Sequence, residues 1–121
     1  MTVKILTVDD SRTMRDMLRM ALLDAGFNVV QAEDGLHGLD VLRNEQPQVV
    51  INDINMPRMD GFGFIEAVRQ DAQYRAIPIL VLTTESDDDK KLRARRAGAT
   101  GWIVKPFDPA KLIAAIRRVA A

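Results

Sequence analysis

A chain of 121 residues, 47% hydrophobic and 28% charged, has the size and balance of one soluble globular domain with one sizeable core. Seventeen Lys and Arg against seventeen Asp and Glu leave no formal net charge, which excludes a bulk footprint for nucleic acid or an anionic membrane and leaves only local patches. The lack of cysteine excludes disulfides, a thiol nucleophile and cysteine-based zinc sites, and with no signal-like or membrane-length apolar run a cytoplasmic location is expected.

In chain order, the apolar run Val3–Val8 reads as a strand and ends in two adjacent carboxylates, Asp9 and Asp10, with Ser11 placed to cap a helix. Thr13–Asp24 sets Met14, Met17, Leu18, Ala21 and Leu22 at helical spacing, which puts the methionines of this helix mostly in the core; Met20 and Leu23 fall off that stripe. Gly26 suits the stop just beyond the helix. A second strand spans Asn28–Ala32. The next helix, Gly35–Asn44, carries Leu36, Leu39, Val41 and Leu42 and ends before Pro47, with His37 expected to face solvent. Val49–Asn52 is a third strand ending at Asp53, and a third helix follows Asp60-Gly61. Ile79–Leu82 is the fourth strand, ending at Thr83. The fourth helix starts in the acidic run Asp87–Asp89 and closes near Arg95, Arg96 and Gly98, charges that suit the helix dipole at both ends. The strand Gly101–Val104 leads to Lys105, and Asp108 with Pro109 opens the last helix as N-cap and first helical residue.

Short apolar strands alternating with amphipathic helices imply right-handed crossovers and a doubly wound parallel α/β sheet, covered on both faces, as one domain over residues 1–121. In such sheets the chemistry gathers at the carboxyl ends of the strands. Asp9, Asp10, Asp53, Thr83 and Lys105 all fall there. Taken singly, a strand-end Asp is an ordinary helix cap, Thr83 an ordinary turn residue and Lys105 an ordinary solvated cation. Together, unpaired carboxylates in one pocket would raise one another's pKa values or force the site open. A hard divalent cation resolves this, because Mg²⁺ accepts a few carboxylate or carbonyl oxygens and keeps several waters. With Lys105 as a monovalent counter-charge, the set reads as Mg²⁺ plus an anionic oxygen group, most simply a phosphoryl.

The segments DDS, D-x-N-M-P-x-M-D-G, T-T-E and K-P-F, one after each of the first, third, fourth and fifth strands, resemble the response-regulator receiver family across essentially the whole chain. The resemblance implies a flavodoxin-like (βα)₅ fold with strand order 2-1-3-4-5. It implies that Asp53 is the phosphoacceptor, that Asp9 and Asp10 hold Mg²⁺ with Asp10 the more direct ligand, and that Asn55 adds its backbone carbonyl. It further implies that Thr83 bonds the phosphoryl in the active state, that Lys105 pairs with it, and that the Lys105–Pro106 bond is cis. The aromatic switch position falls on Trp102, where Tyr or Phe is usual. Asn55 with Glu85, and the end of the chain one helix past KPF, resemble the stand-alone CheY-like chemotaxis regulators, where both positions flank the approach of water. Thr84 replaces the frequent Ala or Gly and is expected to narrow that approach.

The same resemblance implies a histidine kinase or histidine-phosphotransfer domain as phosphodonor, and Met20 and Leu23, off the helix stripe and soft enough for adaptable contacts, are expected to mark a docking patch for it. It implies an output face of Lys90, Lys91, Arg95, Trp102 and Lys111 suited to an acidic peptide such as that of a flagellar motor switch protein. A monomer is expected that assists its own phosphorylation and dephosphorylation and is otherwise not an enzyme; a phosphate sink or relay intermediate is the alternative. An Mg²⁺-dependent phosphatase of the haloacid-dehalogenase type would need an Asp at position 55, a flavodoxin module would need an uncharged phosphate loop in place of Asp9 and Asp10, a pseudo-receiver would lack a site residue, and a DNA-binding regulator would need an effector domain.

Overall fold

Two strands read as unbroken apolar runs because both faces of the sheet are covered. The computed structural model describes residues 2–120: β1 (Lys4–Val8), α1 (Arg12–Asp24), β2 (Asn28–Ala32), α2 (Gly35–Glu45), β3 (Val49–Asn52), α3 (Gly61–Gln70), a 3₁₀ turn (Ala72–Tyr74), β4 (Ile79–Thr83), α4 (Asp88–Ala97), β5 (Gly101–Val104) and α5 (Pro109–Ala120). Every residue of β3 and β4 is buried. All neighbouring strands pair in parallel, in the order β2-β1-β3-β4-β5, so the flavodoxin-like doubly wound sheet expected from the sequence is present.

Alternate strand residues divide the core into two layers. Leu6, Val8, Val50, Ile79 and Val81 pack against α2, α3 and Ala94 of α4, with Phe64 fully buried at the centre. Ile5, Ile51, Leu80 and Leu82 pack against Leu18 and Leu22 of α1 and Leu112 and Ile116 of α5. The helices start with side-chain caps at the carboxyl edge of the sheet: Ser11 accepts from Met14 N at 3.2 Å, Asp34 from His37 N at 2.9 Å, Asp60 from Gly63 N at 2.8 Å, Asp87 from Asp89 N at 2.8 Å and Asp108 from Ala110 N at 2.9 Å. Gly26 and Gly98 take the positive φ, +93° and +118°, that ends α1 and α4.

Several local expectations are corrected. β4 reaches Thr83, because Lys105 N donates to its carbonyl at 2.8 Å and prolongs the ladder. Met17 is 49% exposed, since the buried stripe of α1 is only as wide as Leu18 and Leu22 with Met14 and Ala21 at its margin. Leu36 is likewise exposed. His37 is half-buried, and its Nδ1 accepts from Glu33 N at 3.2 Å instead of facing solvent.

Gly61 marks where the fold closes around the site. A Cβ there would lie 2.2 Å from the Asp53 carbonyl oxygen and 2.7 Å from Ile54 Cα. Gly61→Ala is therefore expected to destabilise the protein by about 2–3 kcal/mol, read as a lowered chemical-denaturation midpoint; an unchanged midpoint would contradict this close approach.

Candidate functional site

β1 and β3 are neighbours with Val8 opposite Asn52, so the chain leaves both strands side by side at Asp9 and Asp53. Asp53 N donates to Val8 O at 3.0 Å and Asp9 N to Ala32 O at 3.1 Å, which carries the ladder into the site. Asp9, Asp10 and Asp53 each offer an oxygen within 4.8 Å of the others. Lys105, its side chain 10% exposed, places Nζ 2.9 Å from both Asp9 Oδ2 and Asp53 Oδ2. The remaining oxygens of the two buried carboxylates accept backbone N–H groups, from Ser11 to Asp9 Oδ1 at 2.8 Å and from Ile54 to Asp53 Oδ1 at 2.6 Å. Asp10 is exposed, and no hydrogen bond or ion pair among the described residues engages its carboxylate.

Burial pushes Asp9 above the usual carboxylate range, a rise that its bonds to Lys105 and Ser11 reduce without cancelling. Burial also works against the Lys105 ammonium, but its bonds to Asp53 and Asp9 outweigh it and hold the lysine above its ordinary value. Lys105 is thus the one cation among the described residues that pairs with these carboxylates. An all-oxygen set with an excess of negative charge, its oxygens within 4.8 Å of one another, fits a hard cation such as Mg²⁺.

The other expected residues fall into two groups. Thr83 is fully buried at the end of β4, and its Oγ1 accepts a long bond from Glu85 N at 3.4 Å. Thr84 beside it is exposed. Asn55 Nδ2 donates to Glu85 Oε1 at 3.0 Å, and Lys90 Nζ lies 3.0 Å from Glu85 Oε2, which together hold the Glu85 carboxyl below its ordinary value. Trp102 Nε1 donates to the Glu85 carbonyl at 3.1 Å, so this half-buried indole is tied to the loop that follows Thr83. Trp102 also lines two neighbouring cavities, one of about 360 Å³ with Lys91 and Arg95, the other of about 440 Å³ with Lys111. The Lys105–Pro106 bond is cis.

Two contacts had no counterpart in the sequence reading. Arg15 Nη1 donates to the Asp9 carbonyl at 2.7 Å. Arg58, after the third strand, forms a two-pronged ion pair with buried Asp34, Nε to Oδ2 at 2.7 Å and Nη2 to Oδ1 at 2.9 Å. Neither Asp34 nor its partner was singled out by the spacing of the sequence.

The family model described as response regulator receiver domain matches residues 5–117. This chain belongs to that family. Over 111 residues the receiver is 40% identical to chemotaxis protein CheY-3 of Vibrio cholerae serotype O1, covering 91% of this chain and 85% of the relative. It is 37% identical to a probable transcriptional regulator, ycf27, of Porphyridium aerugineum, covering 96% of this chain but 47% of that protein, so it spans less than half the length of this relative. Among solved structures, Vibrio cholerae chemotaxis protein CheY4 superposes with a TM-score of 0.94 at 45% identity, covering 98% of this chain and 99% of that one. A response regulator structure from Chloroflexus aurantiacus superposes at 0.95 with 32% identity, covering 99% and 98%.

The receiver's charge arrangement has two measurable consequences. A carboxyl raised in the fold supports stability at pH below its ordinary value of 3.8 and loses that support as pH rises through the folded value. At neutral pH, then, ionised Asp9 weighs against the metal-free fold, and Asp9→Asn is expected to raise the thermal midpoint in chelator; a lower midpoint would contradict it. Asp34 has the opposite sign. The Arg58 guanidinium holds it below 3.8, so its contribution is present above that pH and lost as pH falls through the folded value. Asp34→Asn is expected to flatten the acid limb of the stability profile below about pH 4, and an unaltered limb would count against the ion pair as its cause.

Proposed function

We propose that this receiver is a phosphorylation switch in which Asp53 takes a phosphoryl group from a histidine kinase, a histidine-phosphotransfer domain or a small donor such as acetyl phosphate. The observation that carries this reading is the pair of hydrogen bonds from Lys105 Nζ to Asp9 and Asp53, beside an Asp10 carboxylate that no described residue engages. Asp53, Asp9, Asp10 and the Asn55 backbone carbonyl would hold Mg²⁺, whose charge would offset that developing on the transferring oxygens. An Asp53 oxygen forms the new P–O bond as the P–N bond to the donor histidine breaks, and the leaving imidazole keeps the electron pair and takes a proton. Lys105, already on Asp53 Oδ2, follows the charge onto the phosphoryl, so the chain contributes positioning and electrostatics. Hydrolysis of the acyl phosphate resets the site, and its approach runs past Thr84 and the Asn55–Glu85 pair.

The output is a conformation and not a released product. The phosphoryl binds best to the arrangement in which Thr83 turns toward it, which loosens the Thr83–Glu85–Trp102 chain of contacts. Lys90, Lys91, Arg95, Trp102 and Lys111 then present a face for an acidic target peptide. Similarity to the chemotaxis proteins CheY-3 and CheY4 supports a chemotaxis role; in that role the target would be a flagellar motor switch protein and the receiver would act as a cytoplasmic monomer. The half-length match to the ycf27 relative supports a second reading, in which the receiver controls an attached transcriptional module.

Beryllofluoride added with Mg²⁺ is expected to change Trp102 fluorescence in the wild type and to leave Asp53→Asn unchanged; a full response in the variant would overturn the assignment of Asp53. Thr84→Ala is expected to speed decay of the acyl phosphate, and an unchanged or slower decay would remove Thr84 from the path of water.

A further inference from the structure

The loop between β3 and α3 carries Asn55 and is fastened at its far side by contacts that the phosphorylation chemistry does not use. Gly61 N closes the loop's base by donating to Ile54 O at 2.8 Å. At the tip, Arg58 grips Asp34 with two bonds, and Gly35 N donates to Met59 O at 3.2 Å. The approach is backbone-close, since a Cβ on Gly35 would lie 2.5 Å from Met59 O and 2.7 Å from Met59 Cβ. Asp34 is 3% exposed and already caps α2 through His37 N, so Arg58 is the counter-ion of a carboxylate that cannot turn to water. Arg58 also stands at φ +66°, in the left-handed region that a side chain larger than Asn or Gly occupies only when its surroundings hold it there. The strained backbone and the fork-like ion pair coincide at one residue, three positions beyond Asn55.

We propose that Arg58 is a positioning residue for the metal side of the site: clamped to Asp34, it holds the β3–α3 loop so that the Asn55 backbone carbonyl is ready for Mg²⁺. This rests on the phosphorylation-switch reading above. The clamp links the N-terminus of α2 to the loop that follows Asp53, and so places a residue with no hydrogen bond to the carboxylate cluster in control of metal affinity. An outer contact of this kind orients a ligand without touching the ion. Lysine at 58 would keep the charge but lose the two-pronged grip.

Arg58→Gly isolates the effect, because glycine relieves the positive φ while deleting the clamp. Asp34→Asn removes the charge and keeps the cap on α2. In calorimetric Mg²⁺ titrations of the full chain, run well below each variant's thermal midpoint, both substitutions are expected to weaken Mg²⁺ binding about tenfold. The double variant is expected to be no weaker than the weaker single one, as members of one interacting pair are not additive. Arg58→Lys is expected to fall between. The deficit in labelling by acetyl phosphate is expected at low Mg²⁺ and to be recovered at saturating Mg²⁺. Unchanged Mg²⁺ affinity in both single variants, with lowered thermal midpoints, would reduce the clamp to a structural ion pair and overturn the inference while leaving the switch intact. A wild type that takes up no Mg²⁺ would instead overturn the switch reading and this inference with it.

Discussion

One lysine among three carboxylates sets the terms for the rest of this structure. Parallel pairing forces β1 and β3 to end together, so Asp9 and Asp53 must share a pocket whatever they do there. Lys105, delivered by the last strand, bonds both and neutralises at most one charge. Asp10 stays exposed, with no hydrogen bond or ion pair to its carboxylate among the described residues, and burial pushes Asp9 up. A site balanced in this way is stable enough to form and incomplete enough to favour a hard cation, and the acceptor chemistry proposed for Asp53 grows from that imbalance.

Glu85 is the point at which the site touches the rest of the molecule. Its side chain joins Asn55, two residues past Asp53, to Lys90 at the start of α4. Its carbonyl holds Trp102 on β5, and its N–H leans on the Thr83 hydroxyl. A change at Thr83 therefore has a short physical route to Trp102 and to the two cavities that Trp102 lines. α4, whose only buried residue is Ala94, offers little packing to resist it.

The strand ends were legible in the sequence because each candidate residue closes a short, largely apolar strand, and the parallel sheet turns that local pattern into proximity. Asp9, Asp10, Asp53 and Lys105 meet as expected, and Ser11 and Asp108 cap as expected, since a cap is a short-range feature. Met17 and His37 were misjudged for a different reason. Spacing locates the centre of a buried stripe but not its width, which depends on how closely the neighbouring elements approach. The Arg58–Asp34 clamp joins residues 24 apart on loops that no strand pairing brings together, and the Arg15 contact ends on a backbone carbonyl. Neither leaves a mark in periodicity or residue type.

The most direct measurement of the central claim is to incubate the chain with acetyl phosphate, with Mg²⁺ or with chelator, and to map the modified residue by mass spectrometry. The account predicts an acyl phosphate on Asp53 that forms with Mg²⁺ and is lost in chelator. A phosphoryl group on any other residue, or undiminished labelling of Asp53 in chelator, would contradict it.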